Sequence, residues 1–393
     1  MSHRPDDICP RPDLLAEQPT RPLSPAIYPT SVWLCNDTAQ ADQLLAGERE
    51  GYVYQRDGHP NGDQFAEKCR QLHAAERVAV TSSGMSALAL ALLSQLSSGD
   101  HLVVGNRLYG RSLQLLTDET ARLGITHTLV DTCDLQAVEA AINSNTRLVV
   151  VETIANPRLD VADVAALSEL AHHGGANLLV DNTFATPALC RPLTLGADLV
   201  MESVSKLMNG HSDVMLGVLC GREADWHRVP TVLSTWGLTS SPFDCWLATR
   251  GLATFPLRVE RAGRNALEAA RFLKDHGQVA SVDYPGLTNH PQHDLAVRQF
   301  RGQFGSAVTF TLAGGRVAAD RFMQAAQQIP FCPSLGEVCT TLSHPESTSH
   351  RGLAPEERAA IGIQGGTIRL SLGIESTEFV IAALGKGLRN RLS

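Results

Sequence analysis

Lysine is scarce in this 393-residue chain: of 33 basic residues only four are lysines, Lys68, Lys206, Lys274 and Lys386. Chemistry that needs a primary amine therefore has few places to occur. Lys68, Lys274 and Lys386 lie in AEKCRQ, FLKDHG and GKGLRN, the polar helical surroundings of solvated surface charges. Lys206 is different, because it follows the apolar run ADLVMES within Ser203-Val204-Ser205-Lys206-Leu207-Met208-Asn209-Gly210-His211. An amine set among apolar strand ends loses its proton readily, and the neutral amine is the form that attacks a carbonyl to make an imine.

Two further constellations lie at the ends of apolar runs. NLLVDNT ends in Asp181, and an acid at the tip of a buried strand carries a desolvation cost unless a positive group meets it. A pyridinium nitrogen would serve, and so would a simple role capping the following turn. After ERVAV comes Thr81-Ser82-Ser83-Gly84-Met85-Ser86, a small-residue turn leading into a helix. Its free amides and the helix dipole suit a phosphate. An ordinary serine N-cap reads equally well there.

The elements that must position these residues alternate. ERVAVTSSG, DHLVVGN, THTLVDT, TRLVVVET, NLLVDNT and ADLVMES each read as a buried parallel strand, with helical stretches such as MSALALALLSQL and VADVAALSELAHH between them. That rhythm predicts an α/β domain over residues 61–255. Beyond it, LRVERAGRNALEAARFLKDH reads as a long helix. VASVDYPG, SAVTFTLAGG and TIRLSLG read as strands of a smaller C-terminal α+β domain, 256–393, closed by the helix EFVIAALGKGLRN. Residues 1–60 read as an N-terminal extended arm. Seven prolines up to Pro29 forbid regular helix there, so the arm either flaps or lies on a neighbouring subunit.

Composition narrows the function classes. With 43% hydrophobic and 19% charged residues the chain can bury a sizeable core. A net charge of −8, with no run of lysine or arginine, lacks the footprint of a nucleic-acid or anionic-membrane binder, so a small molecule is the expected partner. Nine cysteines without a C-x-x-C pair argue against a disulfide framework and against a structural zinc site, and no metal is expected. There is no apolar stretch of membrane-spanning length, and MSHRPDDICPRP lacks a signal-peptide core, so a cytoplasmic location is expected. No G-x-x-x-x-G-K-[ST] and no G-x-G-x-x-G occurs, which sets aside a P-loop nucleotide binder and a dinucleotide-dependent dehydrogenase.

The run VDNTFATPALCRPLTLGADLVMESVSKLMNGHSDVMLG resembles the lysine signature of the Cys/Met-metabolism enzymes that use pyridoxal 5′-phosphate: the cystathionine synthases and lyases, methionine γ-lyase and O-acetylhomoserine sulfhydrylase. The resemblance extends over roughly residues 45–390, with the motifs in family order. It implies an aminotransferase-like architecture of fold type I. It also implies that Lys206 carries the cofactor as an imine, that Asp181 holds the ring nitrogen, and that Thr183 follows in the same turn. Ser203 and Ser205 match phosphate-binding hydroxyls, and Ser83, Gly84 and Met85 match the S-G-M turn whose amides also hold phosphate. Tyr54 and Arg56 match a Y-x-R that reaches the phosphate from a neighbouring subunit. The site would then need at least a dimer, and a homotetramer built as a dimer of dimers is expected. Tyr109 matches a tyrosine that stacks on the ring and exchanges protons, and Glu152 and Asn156 match a segment near the ring hydroxyl. Ser334 and Arg369 match the substrate-binding segment and the arginine that grips the α-carboxylate.

The departures concern substrate choice. His59-Pro60-Asn61 stands where N-P-T is usual, and Arg111 where lyases and synthases carry glycine and methionine γ-lyases cysteine. Glu337 and Cys339 alter S-L-G-G-x-E-S towards the S-L-G-D of methionine γ-lyases and sulfhydrylases, whose HPASTTH is also similar to HPESTSH here. Two charges, Arg111 and Glu337, predict a zwitterionic pocket suited to an acyl ester, a phosphate or a guanidino-type group. The alternative is that the two pair and merely close the pocket. The expected reaction is γ-elimination on a sulfur-containing or γ-substituted homoserine-type amino acid. The alternatives are γ-replacement, as in O-acylhomoserine sulfhydrylase or cystathionine γ-synthase, β-lysis, or lysis of a guanidino-type substrate such as canavanine. A non-catalytic relative is disfavoured because Lys206, Asp181, Tyr109 and Arg369 are all retained.

Overall fold

The computed structural model describes Thr20 and residues 22–389. Eleven strands within them form two sheets. β1 (Arg77–Thr81), β2 (His101–Gly105), β3 (Thr126–Val130), β4 (Thr146–Glu152), β5 (Asn177–Asp181), β6 (Leu199–Ser203) and β7 (Gly217–Gly221) make a seven-stranded sheet in the order β1-β7-β6-β5-β4-β2-β3. β3, β2, β4, β5 and β6 pair in parallel, while β7 runs against both β6 and β1. Side chains alternate across the sheet, as a pleated ribbon requires. Val149 and Val151 of β4 join Leu178, Val180 and Val200 in the core on one face. Leu148 and Val150 join Leu102, Val104, Leu179 and Leu199 on the other. Both faces are covered by helices, which is why these strands read as nearly unbroken apolar runs.

Two readings need correction. ERVAV is not hydrogen-bonded in parallel, since β1 meets only the antiparallel β7. THTLVDT is parallel but not buried: β3 is the sheet's edge, and only Val130 of its residues is fully enclosed. Its alternation of polar residues was the visible sign. Two strands went unread, the glycine-flanked β7 and the three-residue β10 (Thr341–Ser343).

β10 belongs to a second, antiparallel sheet with β8 (Val279–Asp283), β9 (Ala307–Leu312) and β11 (Thr367–Ser371), ordered β10-β11-β9-β8. Its core of Val308, Phe310, Ile368 and Leu370 packs against the helices Phe255–Lys274, Gly315–Ala325 and Thr377–Leu388. The helix Phe255–Lys274 turns an apolar stripe inward, Phe255, Val259, Ala262, Ala266, Ala269 and Leu273, at the spacing an amphipathic helix needs.

Of the proline-rich arm, residues 1–19 and 21 lie outside the described residues. The rest is not extended throughout. A helix, Thr38–Leu45, interrupts it. Before that helix the chain is held on its own fold, where Trp246 Nε1 donates to Pro25 O at 2.9 Å and the Tyr28 amide donates to Asn61 Oδ1 at 2.9 Å. Asn61 Nδ2 in turn donates to Ala26 O at 2.8 Å. No helix among the described residues is long and apolar enough to cross a membrane.

Candidate active site

The carboxyl ends of β1, β2, β4, β5 and β6 lie along one edge of the large sheet, where a wound α/β fold leaves its crevice. Thr81, Glu152, Asp181 and Ser203 are the last residues of β1, β4, β5 and β6. The segments leaving these ends carry most of the residues singled out above.

At the end of β1 the helix Gly84–Gln95 begins, with Ser83 as its cap, accepting from the Ser86 amide at 3.1 Å. The amides of Gly84 and Met85 are first-turn donors without intrahelical acceptors. They face a tight junction. A Cβ added to Gly84 would stand 2.8 Å from Cβ of Ser203, and one added to Gly217 would stand 2.2 Å from the Ser83 carbonyl oxygen. Three backbones thus converge where only glycine permits it, around the Ser203 hydroxyl. Ser205 behaves differently, because its Oγ accepts from the Leu216 amide at 3.0 Å and donates to the Leu216 carbonyl at 3.2 Å.

Asp181 and Glu152 are register partners on β5 and β4. Asp181 Oδ1 accepts from the Thr183 amide at 2.9 Å, and Thr183 Oγ1 accepts from the Ser203 amide at 2.9 Å, tying the two strand ends together. Glu152 accepts from the amides of Tyr109 at 2.7 Å and Asn156 at 3.2 Å. Burial raises the Asp181 carboxyl above its ordinary value, against the pull of its bonds to Thr183. Burial and then the Asp181 charge raise Glu152, while its two amide donors pull it down. Two strand-end acids side by side, Glu152 buried and Asp181 half-buried, with no cation bonded to either, fit a site that receives a positive group.

Lys206 Nζ donates to Ser334 Oγ at 2.9 Å. Burial lowers the amine below its usual value, and Arg369 adds to this while Glu337 opposes it. Arg369 reaches the same place from β11, with Nη2 donating to Ser334 O at 2.9 Å and Nη1 to Asn156 Oδ1 at 2.6 Å. Burial brings this guanidinium down to about 10, so it remains charged at neutral pH, and its Nε has no acceptor.

Other singled-out residues stand apart. Tyr109 is fixed through its amide while its side chain is 42% exposed. Arg111 turns to Gln114 Oε1 at 2.7 Å on an exposed face and forms no ion pair with Glu337. Arg56 stacks over the Tyr54 ring, 4.8 Å from its centroid, and its Nε lies 3.4 Å from Ser234 Oγ. Neither Tyr54 nor Arg56 is hydrogen-bonded to Lys206, Ser83, Ser203 or Ser205 of its own chain.

Three features were missed. Arg258 donates to the carbonyls of Leu207, Met208 and Gly251 at 2.8, 2.9 and 3.0 Å, pinning the segment after Lys206. Its signal was an arginine on the apolar stripe of a helix. His350 is buried beside Arg369, pushed down to about 4 by burial, and its Nε2 has no partner. Behind the crevice Asn182 Nδ2 donates to Glu202 Oε1 at 2.9 Å, and His73 Nε2 lies 3.6 Å from that oxygen. Nothing in the spacing of residues 73, 182 and 202 announced this chain.

The site thus offers an amine whose basicity burial lowers, helix-start amides with a hydroxyl for a phosphate, a strand-end acid for a ring cation, and a guanidinium for a carboxylate. Pyridoxal phosphate fits that donor set. The family model described as "Cys/Met metabolism PLP-dependent enzyme" matches residues 13–389. Among curated relatives, the chain is 41% identical over 370 residues to an L-methionine gamma-lyase of Porphyromonas gingivalis, covering 93% of this chain and 92% of that one. It is also 41% identical over 363 residues to an O-succinylhomoserine sulfhydrylase of Pseudomonas aeruginosa, covering 92% and 90%. Among solved structures, cystathionine gamma synthase from Xanthomonas oryzae superposes with a TM-score of 0.88 at 36% identity, covering 93% and 92%. A Campylobacter jejuni chain described as an O-acetylhomoserine (thiol)-lyase, with N′-pyridoxyl-lysine-5′-monophosphate, superposes with a TM-score of 0.91 at 26% identity, covering 96% and 97%.

Proposed function

The chain belongs to the Cys/Met-metabolism family of pyridoxal-phosphate-dependent enzymes, and from that premise we propose that it catalyses γ-elimination on a γ-substituted homoserine-type amino acid. The products are a 2-oxo acid, ammonia and the protonated leaving group, with one water consumed. The observation that carries this reading is the convergence of Lys206 Nζ and Arg369 Nη2 on one residue, Ser334. An α-amino acid placed there has its amine and Cα at the lysine and its carboxylate at the arginine.

Pyridoxal phosphate supplies the electron sink that lets the Cα proton leave. The chain's own residues do the rest. Lys206 holds the cofactor and then serves as the base at Cα, which its tethered position and lowered basicity favour. Asp181 receives the ring nitrogen, with Glu152 and Asn156 at the same edge, and Thr183 orients Asp181. The amides of Gly84 and Met85, with the hydroxyls of Ser83 and Ser203, would bind the phosphate, and the Ser205 hydroxyl would join them by releasing the Leu216 carbonyl. Arg369 orients the substrate carboxylate through a two-pronged contact, and Ser334 positions both Lys206 and Arg369. The exposed phenol of Tyr109 is free to deliver a proton to the departing group.

Tyr54 and Arg56 serve the phosphate of a neighbouring subunit, since they are held at the surface away from their own chain's site. The protein therefore works as a homo-oligomer, at least a dimer and in full a tetramer of two dimers, in the cytoplasm. γ-Replacement with a thiol is the second reading, favoured by the equal 41% identity to the O-succinylhomoserine sulfhydrylase. Measuring 2-oxobutyrate and ammonia from γ-substituted amino acids, with and without an added thiol, against pyruvate from β-substituted ones, tests both. Pyruvate as the dominant product would overturn them.

A further inference from the structure

Two of the sequence's departures carried opposite charges, and the structure separates them. Arg111 faces outward to Gln114. Glu337 faces inward: its Oε2 is enclosed and has no hydrogen-bond partner.

The backbone on both sides of Glu337 is fixed to the site's own walls. The Gly336 amide donates to Ser371 Oγ at 2.8 Å, two residues beyond Arg369 on β11. Gly336 has φ +88°, and a Cβ there would stand 2.5 Å from the Leu207 amide nitrogen, directly after Lys206. The Val338 amide donates to Gly210 O at 2.9 Å, and Val338 O accepts from the Ile374 amide at 2.8 Å. Glu337 is therefore held between the lysine segment and the arginine strand. Its charge acts on both, opposing the fall in basicity of Lys206 and of Arg369.

Neither cation is hydrogen-bonded to Glu337 Oε2. Lys206 is committed to Ser334 and to the cofactor, and Arg369 to Asn156, Ser334 and the substrate carboxylate. A carboxylate whose enclosed oxygen has no partner is costly, and a ligand that brings a cation to it offsets part of that cost. A methylthio or acyl group brings none.

We propose that Glu337 is a specificity-determining residue that recognises a positively charged γ-substituent, an ammonium, guanidinium or sulfonium group, on the homoserine-type skeleton. This rests on the γ-elimination reading and narrows it. The phosphate and acyl-ester classes, which the zwitterionic pocket admitted, lose their cationic host once Arg111 lies outside.

The test is a pair of charge-matched comparisons on the holoenzyme. S-methylmethionine and methionine differ by one methyl group and one permanent positive charge at the γ-substituent. The ratio of their kcat/KM values, compared between wild type and Glu337→Gln, cancels the difference in leaving-group quality. Dissociation constants for 2,4-diaminobutyrate and its uncharged isostere norvaline, by calorimetry, give the same comparison without turnover. The expected result is a fall of at least tenfold in both charge-preference ratios, over and above any change common to charged and neutral ligands that follows from removing a charge near Lys206 and Arg369. Glu337→Asp, which keeps the charge on a shorter arm, should retain part of the preference. An unchanged ratio in Glu337→Gln overturns the proposal. So does an equal loss on charged and neutral ligands in both variants, because Glu337 would then only balance Arg369. If wild type releases no 2-oxobutyrate from either substrate, the γ-elimination reading fails, while the calorimetric ratio still decides the role of Glu337.

Discussion

Gly210 and Arg258 meet at the limit of packing: a Cβ built on Gly210 would lie 2.0 Å from Arg258 Nη1. That guanidinium holds the carbonyls of Leu207 and Met208, so the first residues after Lys206 hang from the helix that links the two sheets. Gly210→Ala should displace Arg258 and force a side chain into φ +76°. The combined loss is about 2–4 kcal/mol. Thermal unfolding should show it, together with weaker cofactor retention by visible absorbance. Arg258→Met should do the same, since it strands three buried carbonyls. Wild-type stability in both variants would show that the tether carries no load.

Lys206→Ala should abolish turnover and the visible absorbance of the lysine-bound cofactor. The other three lysines offer no substitute at the crevice. A variant that still turned over at the wild-type rate would end the assignment.

Asp181→Ala should keep the fold and lose most of kcat, because nothing else at this strand end holds a ring cation. Asp181→Glu should recover part of the loss. Circular dichroism separates folding from chemistry, and an unchanged kcat in the alanine variant would sink the role.

If Arg56 acts on a neighbouring subunit, Arg56→Ala and Lys206→Ala proteins, each inactive, should regain activity when subunits exchange, through hybrid sites that contain both intact residues. Failure to complement after exchange is verified by mass would count against a shared site, and a fully active monomer would do so outright.

The buried pair behind the crevice makes a pH prediction of opposite sign on its two sides. Burial raises Glu202 well above the ordinary carboxylate range and lowers His73 to about 3. Above about pH 4.5 the unfolded chain releases the Glu202 proton that the folded one keeps, so this residue destabilises increasingly as pH rises. Below about pH 6.5 the unfolded chain protonates His73 while the folded one does not, so stability also falls on acidification, down to about pH 3. Glu202→Gln keeps an acceptor for Asn182 and removes the first effect. Its stability relative to wild type should climb with pH from about 5 upward, by at most about 1.4 kcal/mol per unit. A stability difference that does not rise with pH would show that Glu202 is ionised in the folded protein.

The sequence by itself determined six of the large sheet's seven strands and the strand ends that carry Thr81, Glu152, Asp181 and Ser203. Apolar runs of strand length and the polar residues ending them are local signals, and Asp181, Ser203 and Lys206 stand within one continuous motif. It also exposed the odd residues, Arg111 and Glu337. It did not tell which of the two faces inward. That depends on long-range contacts, Gly336 on Leu207 and Val338 on Gly210, which bring segments some 130 residues apart into one wall. β7 escaped because an antiparallel strand flanked by glycines has no helix before it to complete the alternating rhythm. Pro25, Ala26 and Tyr28 of the arm are tied to their own chain because Asn61 and Trp246 satisfy their backbone, a pairing that no spacing along the chain encodes. Local chemistry is written in neighbouring residues, whereas the direction a side chain faces is decided by whichever distant backbone reaches it first.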